Sequence, residues 1–189
     1  KTDVAGQDSQ RPRYVVGVGA SAGGLEALQD FFKDMPVDSG LAFVVVQHLS
    51  PDYKSLMPEL LAKHSELPME AAVDGIEVRP NRVYFTPPNN NVALESNSLK
   101  LTRQDHRAQH TLNFPIDMFF ESLAMDAAER AVAVVLSGTG SDGTRGIRAV
   151  KENNGMVMVQ EPATAKFDGM PRSALSTGVA DFVLHPDQM

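Results

Sequence analysis

Three residue types that together make up a hydrolytic triad stand just beyond three apolar runs of the chain. Ser21 lies on the glycine-rich turn Gly19-Ala20-Ser21-Ala22-Gly23-Gly24, directly after Tyr14–Val18. His48 closes the run Leu41–Val46 through Gln47, and Asp142 sits in Ser137-Gly138-Thr139-Gly140-Ser141-Asp142-Gly143-Thr144 after Ala131–Leu136. The chemistry needs each of them. A serine hydroxyl is a weak nucleophile until a base removes its proton. A histidine can take that proton near neutrality and return it to the leaving group. A buried carboxylate fixes the imidazole tautomer and stabilises the imidazolium. Glycines around Ser21 leave backbone N–H groups, at the opening of a helix, free to face a developing oxyanion.

A second reading starts from the same glycines. Gly17-x-Gly19-x-x-Ala22 fits the permissive form of the dinucleotide fingerprint and Gly138-x-Gly140-x-x-Gly143 fits it outright, each between a strand and a helix. That motif requires an acidic residue about 20 positions further on, at the end of the second strand, for a ribose hydroxyl. Here the second strand ends in Gln47-His48, and neither turn has the Gly-Lys-Ser/Thr ending of a phosphate-binding loop. A dinucleotide-binding role is therefore the weaker alternative. Structural readings stay open as well: Ser21 as a helix cap, Asp142 as the cap of its own helix, His48 as an ordinary strand-end histidine. The order Ser, His, Asp and the lack of Gly-x-Ser-x-Gly exclude an α/β-hydrolase.

The elements that must position these residues follow from periodicity. Residues 1–13 are polar and aperiodic and read as a disordered tail or linker, leaving one domain over residues 14–189. Tyr14–Val18, Leu41–Val46 and Ala131–Leu136 are continuous apolar runs, the pattern of parallel strands buried on both faces. Leu25, Leu28, Phe31 and Phe32 mark a helix ending before Pro36, and a second helix is expected over about 53–63 with Leu56, Leu60 and Leu61 inward. From Met69 onward, Val83–Thr86, Asn91–Leu94 and Leu99–Thr102 read as a small antiparallel insert with hairpin turns, followed by a polar loop over 103–113. Pro115 opens a helix with Met118, Phe119, Leu123 and Met125 along it. Ile147 and Val150 mark a helix closed by Asn153-Asn154-Gly155, then come a strand over Met156–Val159, a short helix over 172–177 and a last strand over 181–184. Strands alternating with helices of these lengths predict an α/β fold: a doubly wound, mainly parallel sheet with helices on both faces and a small antiparallel hairpin insert. The carboxyl ends of such strands share one edge, so the loops carrying Ser21, His48 and Asp142 can converge.

Composition narrows the function classes. The formal charge of −7 over 189 residues argues against nucleic acid and against an anionic membrane surface. No apolar run reaches the roughly 18 residues that span a bilayer, so no membrane insertion is expected and the cytoplasm is the expected compartment. Cysteine is absent, which excludes disulfides and thiolate metal sites. His64, His106, His110 and His185 have no ligand-like spacing, so neither a metal nor another cofactor is expected. The methionines read as core packing.

Four segments, in order, carry a family resemblance: Gly19–Gly24, Val45–His48, Leu136–Gly143 and Asp168-Gly169-Met170-Pro171-Arg172-Ser173-Ala174. Together they resemble the catalytic domain of the chemotaxis methylesterase CheB, from about Tyr14 to the end of the chain. The resemblance implies a Ser-His-Asp triad on Ser21, His48 and Asp142. It also implies hydrolysis of γ-glutamyl methyl esters on the cytoplasmic helices of chemoreceptors, with deamidation of receptor glutamines in many members. Backbone amides near Ser21, Ala22 and Gly23, and in the Gly169-Met170 loop, are the expected oxyanion and substrate-positioning groups. Where the family often has Ser-Thr-Gly-Gly this chain has Ser21-Ala22-Gly23-Gly24, a family Met-Gly is Thr139-Gly140, and a common hairpin histidine is replaced at Asn90-Asn91. These features, with Ser50-Pro51 after His48, look more like the domain at the front of CheB–CheR fusions. A fused or associated CheR-type methyltransferase is thus an expected partner, and a non-catalytic module tethering that methyltransferase is the alternative. The family's phosphoreceiver domain has no counterpart before Tyr14, so regulation is expected to differ or to lie outside these residues.

Overall fold

The computed structural model describes residues 11–48, 56–104 and 113–189. In chain order the first half comprises β1 (Tyr14–Ala20), α1 (Gly24–Phe32), β2 (Leu41–Gln47), α2 (Met57–Leu61), β3 (Met69–Ala71), β4 (Arg82–Phe85), β5 (Asn90–Glu95) and β6 (Ser98–Arg103). The second half comprises α3 (Pro115–Ala127), β7 (Ala131–Val135), α4 (Thr144–Glu152), β8 (Met156–Gln160), α5 (Gly169–Ser176) and β9 (Phe182–Leu184).

Seven strands form one sheet in the order β3-β4-β2-β1-β7-β8-β9, and every pairing in it is parallel. β1 is central. The chain winds outward from it through β2 to β4, then returns to β7 on its other side and winds outward to β9. The point where the winding reverses lies between β1 and β7, where open α/β sheets leave a crevice at the strands' carboxyl ends. β5 and β6 pair antiparallel as a separate hairpin.

Each face of the sheet carries its own apolar layer. On one side Leu28, Phe31 and Phe32 of α1 and Leu61 of α2 cover Phe43, Val45 and Val83. Phe31, Phe32 and Phe43 meet edge to face, with ring centroids 4.9–6.1 Å apart. Such pairs add about 1 kcal/mol each beyond the area they bury. On the other side α3, α4, α5 and the hairpin bury Ile116, Phe119, Phe120, Leu123, Ile147, Val150, Met170, Val92 and Leu99. α3 lies unusually close to β1. A Cβ on Gly17 would fall 2.9 Å from the rings of Phe119 and Phe120, and one on Gly19 would fall 2.5 Å from Ile116. The two strand glycines therefore serve helix packing rather than a phosphate, and they set how near the start of α3 comes to the end of β1.

Several expectations are corrected. Val83–Thr86 does not belong to the antiparallel insert: β4 joins the main sheet parallel to β2. Its Val83, Tyr84 and Phe85 are all buried, the mark of a strand covered on both faces. β3, not anticipated, pairs with β4 at the sheet edge. Within the expected helix over 53–63, residues 53–55 lie outside the described residues; α2 runs only Met57–Leu61, Leu56 precedes it exposed, and His64 follows its end. Met118 and Met125 face solvent, the latter 79% exposed, because α3 turns Ile116, Phe119, Phe120 and Leu123 inward instead. Met156 is likewise exposed. His106 and His110 lie outside the described residues.

Candidate active site

Ser21 and His48 are set side by side by strand register. Ala20, the last residue of β1, is the register partner of Gln47, the last of β2, and Ser21 and His48 follow directly on those two ends. Neighbouring strands are about 4.8 Å apart. On the other side of β1, the Ser21 N–H donates to the Ser137 carbonyl at 2.9 Å, which ties the serine to the loop leaving β7.

Asp142 comes to the same edge from that loop. It is buried, 4% exposed, and all its contacts use it as an acceptor. His48 Nε2 lies 2.6 Å from Asp142 Oδ2, the imidazole N–H donating. The Ile116 N–H donates to the same oxygen at 3.0 Å, while the N–H groups of Asp117 and Gly143 donate to Oδ1, both at 2.8 Å. Ile116 and Asp117 are in the first turn of α3, so Asp142 caps a helix remote in sequence, and the positive end of that helix dipole faces the carboxylate. The arrangement is reciprocal. Asp117, also buried, accepts from the Gly146 N–H of α4 at 2.8 Å and from Arg145 Nε at 3.2 Å. The hydrogen bond that Arg145 donates to Asp117 raises the Arg145 pKa above its ordinary value, with the charges of Asp117, Glu121 and Asp142 adding to it. Two buried aspartates thus cross-cap the facing ends of α3 and α4, and one of them also holds His48.

With Nε2 engaged by Asp142, Nδ1 is the nitrogen of His48 left to receive a proton. The His48 side chain is 38% exposed.

The turns on which Ser21 and Asp142 sit are alike. Gly24 N–H donates to the Ser21 carbonyl at 2.9 Å and Thr144 N–H to the Ser141 carbonyl at 3.2 Å, closing two four-residue turns. Their third residues, Gly23 (φ 70°, ψ 9°) and Gly143 (φ 94°, ψ −16°), adopt the left-handed conformation of a type II turn. Neither Ala22 nor Asp142 has a positive φ, which excludes the mirror-image turn. Gly143, the last glycine of the second fingerprint-like motif, and Gly23, which follows the Ala22 that ends the first, each close a turn into a helix. Ser21 therefore stands at the first position of its turn and Asp142 at the second.

Among the described residues, the N–H groups of Ala22, Gly23 and Thr139 have no hydrogen-bond acceptor. The Gly169-Met170 loop, also expected to supply amides, is divided: the Gly169 N–H has no acceptor among the described residues. The Met170 N–H donates to the Gly138 carbonyl at 2.8 Å, so that amide is already used. Gly169 packs directly on this loop: a Cβ there would lie 3.0 Å from the Gly140 nitrogen. Gly138 in turn leaves room for the Met170 sulfur and the Ser21 Cβ, which a side chain would meet at 2.2 and 2.9 Å.

Three polar residues that shape the site carry no signal in the local sequence: Asp117, Ser137 and Gln160. All are buried, and each has a partner more than 20 residues away in the chain, although Gln160 also donates to Thr164 Oγ1 nearby. Among the described residues no cluster of three or more His, Asp or Glu could hold a metal ion.

The model of the CheB methylesterase family matches residues 16–189. The chain belongs to the CheB methylesterase family. It is 47% identical over 128 residues to an uncharacterised 104.1 kDa protein of Rhodobacter capsulatus, covering 68% of this chain and 13% of that one. Over 170 residues it is 33% identical to protein-glutamate methylesterase/protein-glutamine glutaminase 5 of Myxococcus xanthus, covering 89% of this chain and 49% of that protein. The fold superposes on the crystal structure of the Thermotoga maritima CheB methylesterase catalytic domain with a TM-score of 0.83 and 29% identity, covering 93% of this chain and 94% of that one. The CheB-type domain thus accounts for about half of the Myxococcus relative and a small part of the Rhodobacter one. Among the described residues no helix is long and apolar enough to cross a membrane.

Proposed function

We propose that this CheB-type domain is a protein-glutamate methylesterase in which Ser21 attacks the γ-methyl ester of a glutamyl side chain. The observation that carries the reading is the hydrogen bond of 2.6 Å between His48 and the helix-capping Asp142, one strand away from Ser21. His48 Nδ1 takes the Ser21 proton as Oγ bonds to the ester carbonyl. The tetrahedral oxyanion draws on the unpaired amides of Ala22, Gly23 and Thr139. His48 then protonates the departing methoxide, methanol leaves, and an acyl-enzyme ester remains on Ser21. Water attacks that ester by the same route in reverse, His48 again moving the proton, and the free glutamate carboxylate is released. With an amide in place of the ester the leaving group is ammonia, which is the glutaminase reaction named for the Myxococcus relative.

The substrate in this reading is the methylated cytoplasmic helix of a chemoreceptor, and the compartment is the cytoplasm. A CheR-type methyltransferase, fused to the domain or associated with it, would supply the ester. The 104.1 kDa size of the Rhodobacter relative supports occurrence of such a domain within a larger polypeptide. The triad assignment is tested by methanol release from a methylated receptor. Ser21→Ala should reduce it to the uncatalysed rate while circular dichroism stays that of the parent. Release at the parent rate would remove Ser21 from the mechanism and favour the non-catalytic, tethering role.

A further inference from the structure

The turn Ser21–Gly24 is of a kind whose central peptide has two alternative orientations. Type I and type II turns share the same closing hydrogen bond and differ by a flip of the central peptide plane. In the turn Ser21–Gly24 that plane is Ala22-Gly23. It is held in the type II orientation, with Gly23 at φ 70°. Gly23 can adopt either orientation because it lacks a Cβ, so the turn's own sequence leaves the choice open.

Ser137 is bonded to that peptide. Its hydroxyl, 1% exposed as a residue, donates to the Ala22 carbonyl at 2.8 Å, with the Phe167 carbonyl a longer alternative acceptor at 3.3 Å, and accepts from the Phe167 N–H at 3.1 Å. Its backbone is held at both ends: the carbonyl accepts from the Ser21 N–H, and the N–H donates to the buried Gln160 Oε1 at 2.8 Å. The hydroxyl therefore sits on a fixed base. In a trans peptide the C=O and the following N–H point in opposite directions. Pinning the Ala22 carbonyl on Ser137 thus aims the Gly23 N–H away from it, where that N–H has no partner among the described residues. The flipped turn would present the Ala22 carbonyl, an acceptor, where an amide donor now stands.

We infer that Ser137 is a positioning residue whose hydroxyl selects the type II orientation of the Ala22-Gly23 peptide and so keeps an amide donor, rather than a carbonyl, beside Ser21. The inference rests on the methylesterase reading only for its kinetic consequence. The turn geometry stands apart from it.

The experiment pairs a structural and a kinetic readout on Ser137→Ala and Ser137→Thr. In isotopically labelled parent protein, a type II turn gives a strong nuclear Overhauser effect between Ala22 Hα and Gly23 HN. Ser137→Ala should weaken it in favour of the Ala22 HN to Gly23 HN effect of a type I turn, and Ser137→Thr, which keeps the hydroxyl, should retain the parent pattern. On a methylated receptor, Ser137→Ala should lower kcat about 10- to 100-fold with KM nearly unchanged, the pattern of a lost transition-state interaction, and Ser137→Thr should restore most of it. A parent-like Hα–HN effect in Ser137→Ala overturns the inference. So does an equal loss of kcat in both variants. If the turn flips as expected but the parent protein releases no methanol, the inference about the turn holds and the methylesterase reading falls.

Discussion

At the residue scale, Asp142 carries two duties that a mutation can separate. It orients His48, and it satisfies three backbone N–H groups, two of them in the first turn of α3. Asp142→Ala removes both, leaving buried donors unpaired at a cost of roughly 1–3 kcal/mol each where no water enters. Asp142→Asn keeps one acceptor oxygen and the shape but takes away the second. It should lose activity by on the order of 10³-fold or more, because the imidazole can settle in the wrong tautomer, while losing much less stability than the alanine variant. Denaturant unfolding beside methanol release separates the two. Equal activity in Asp142→Asn and the parent would leave Asp142 as a helix cap only. Ala22 is instructive at the same scale. It stands where the family often has threonine, yet its contribution to the turn comes from its carbonyl and N–H, and neither depends on its side chain.

At the scale of elements, the chain wrote its central strands plainly and its connections poorly. The runs Tyr14–Val18, Leu41–Val46 and Ala131–Leu136 became β1, β2 and β7 because a strand covered on both faces must be apolar throughout. The same rule applied to Val83-Tyr84-Phe85, but the Pro87-Pro88-Asn89-Asn90 turn signals beside it resembled a hairpin, and β4 was legible only through its burial in the structure. The cross-capping of α3 and α4 by Asp142 and Asp117 had no local signature, since each cap comes from the other element rather than from the residue preceding its own helix. Close packing of α3 on β1 is what makes that capping possible, and it rests on two missing side chains. Gly19→Val would place carbon inside the van der Waals envelope of Ile116 and push the start of α3 away from Asp142. It should cost several kcal/mol of stability, above the 1–3 kcal/mol of simple overpacking. It should also lower activity, although no reacting group is touched. A Gly19→Val protein with parent stability to urea and parent turnover would show that the α3 contact does not position the site.

At the scale of the whole molecule, the winding of the sheet explains how three residues so far apart in sequence reach one edge of it. Reversal of the winding at β1 puts the ends of β2, β1 and β7 next to one another, so consecutive strands of the sheet deliver His48, Ser21 and the Asp142 loop. That much could be read from the sequence, given residue types at strand ends and a parallel fold. The buried partners Ser137, Gln160 and Asp117 could not: they stand in a loop, at a strand end and in the first turn of a helix, and a polar residue at such a place gives no sign of whether its bond runs to solvent or to a distant backbone. The site is thus a property of the fold's central edge, and every proposed step runs through the Ser21 hydroxyl. The most direct measurement of that claim is reaction with a fluorophosphonate followed by intact mass and peptide mapping. One adduct is expected, located on Ser21, absent from Ser21→Ala and formed far more slowly in His48→Ala. An adduct on another residue, or labelling of Ser21 at an undiminished rate without His48, would contradict it.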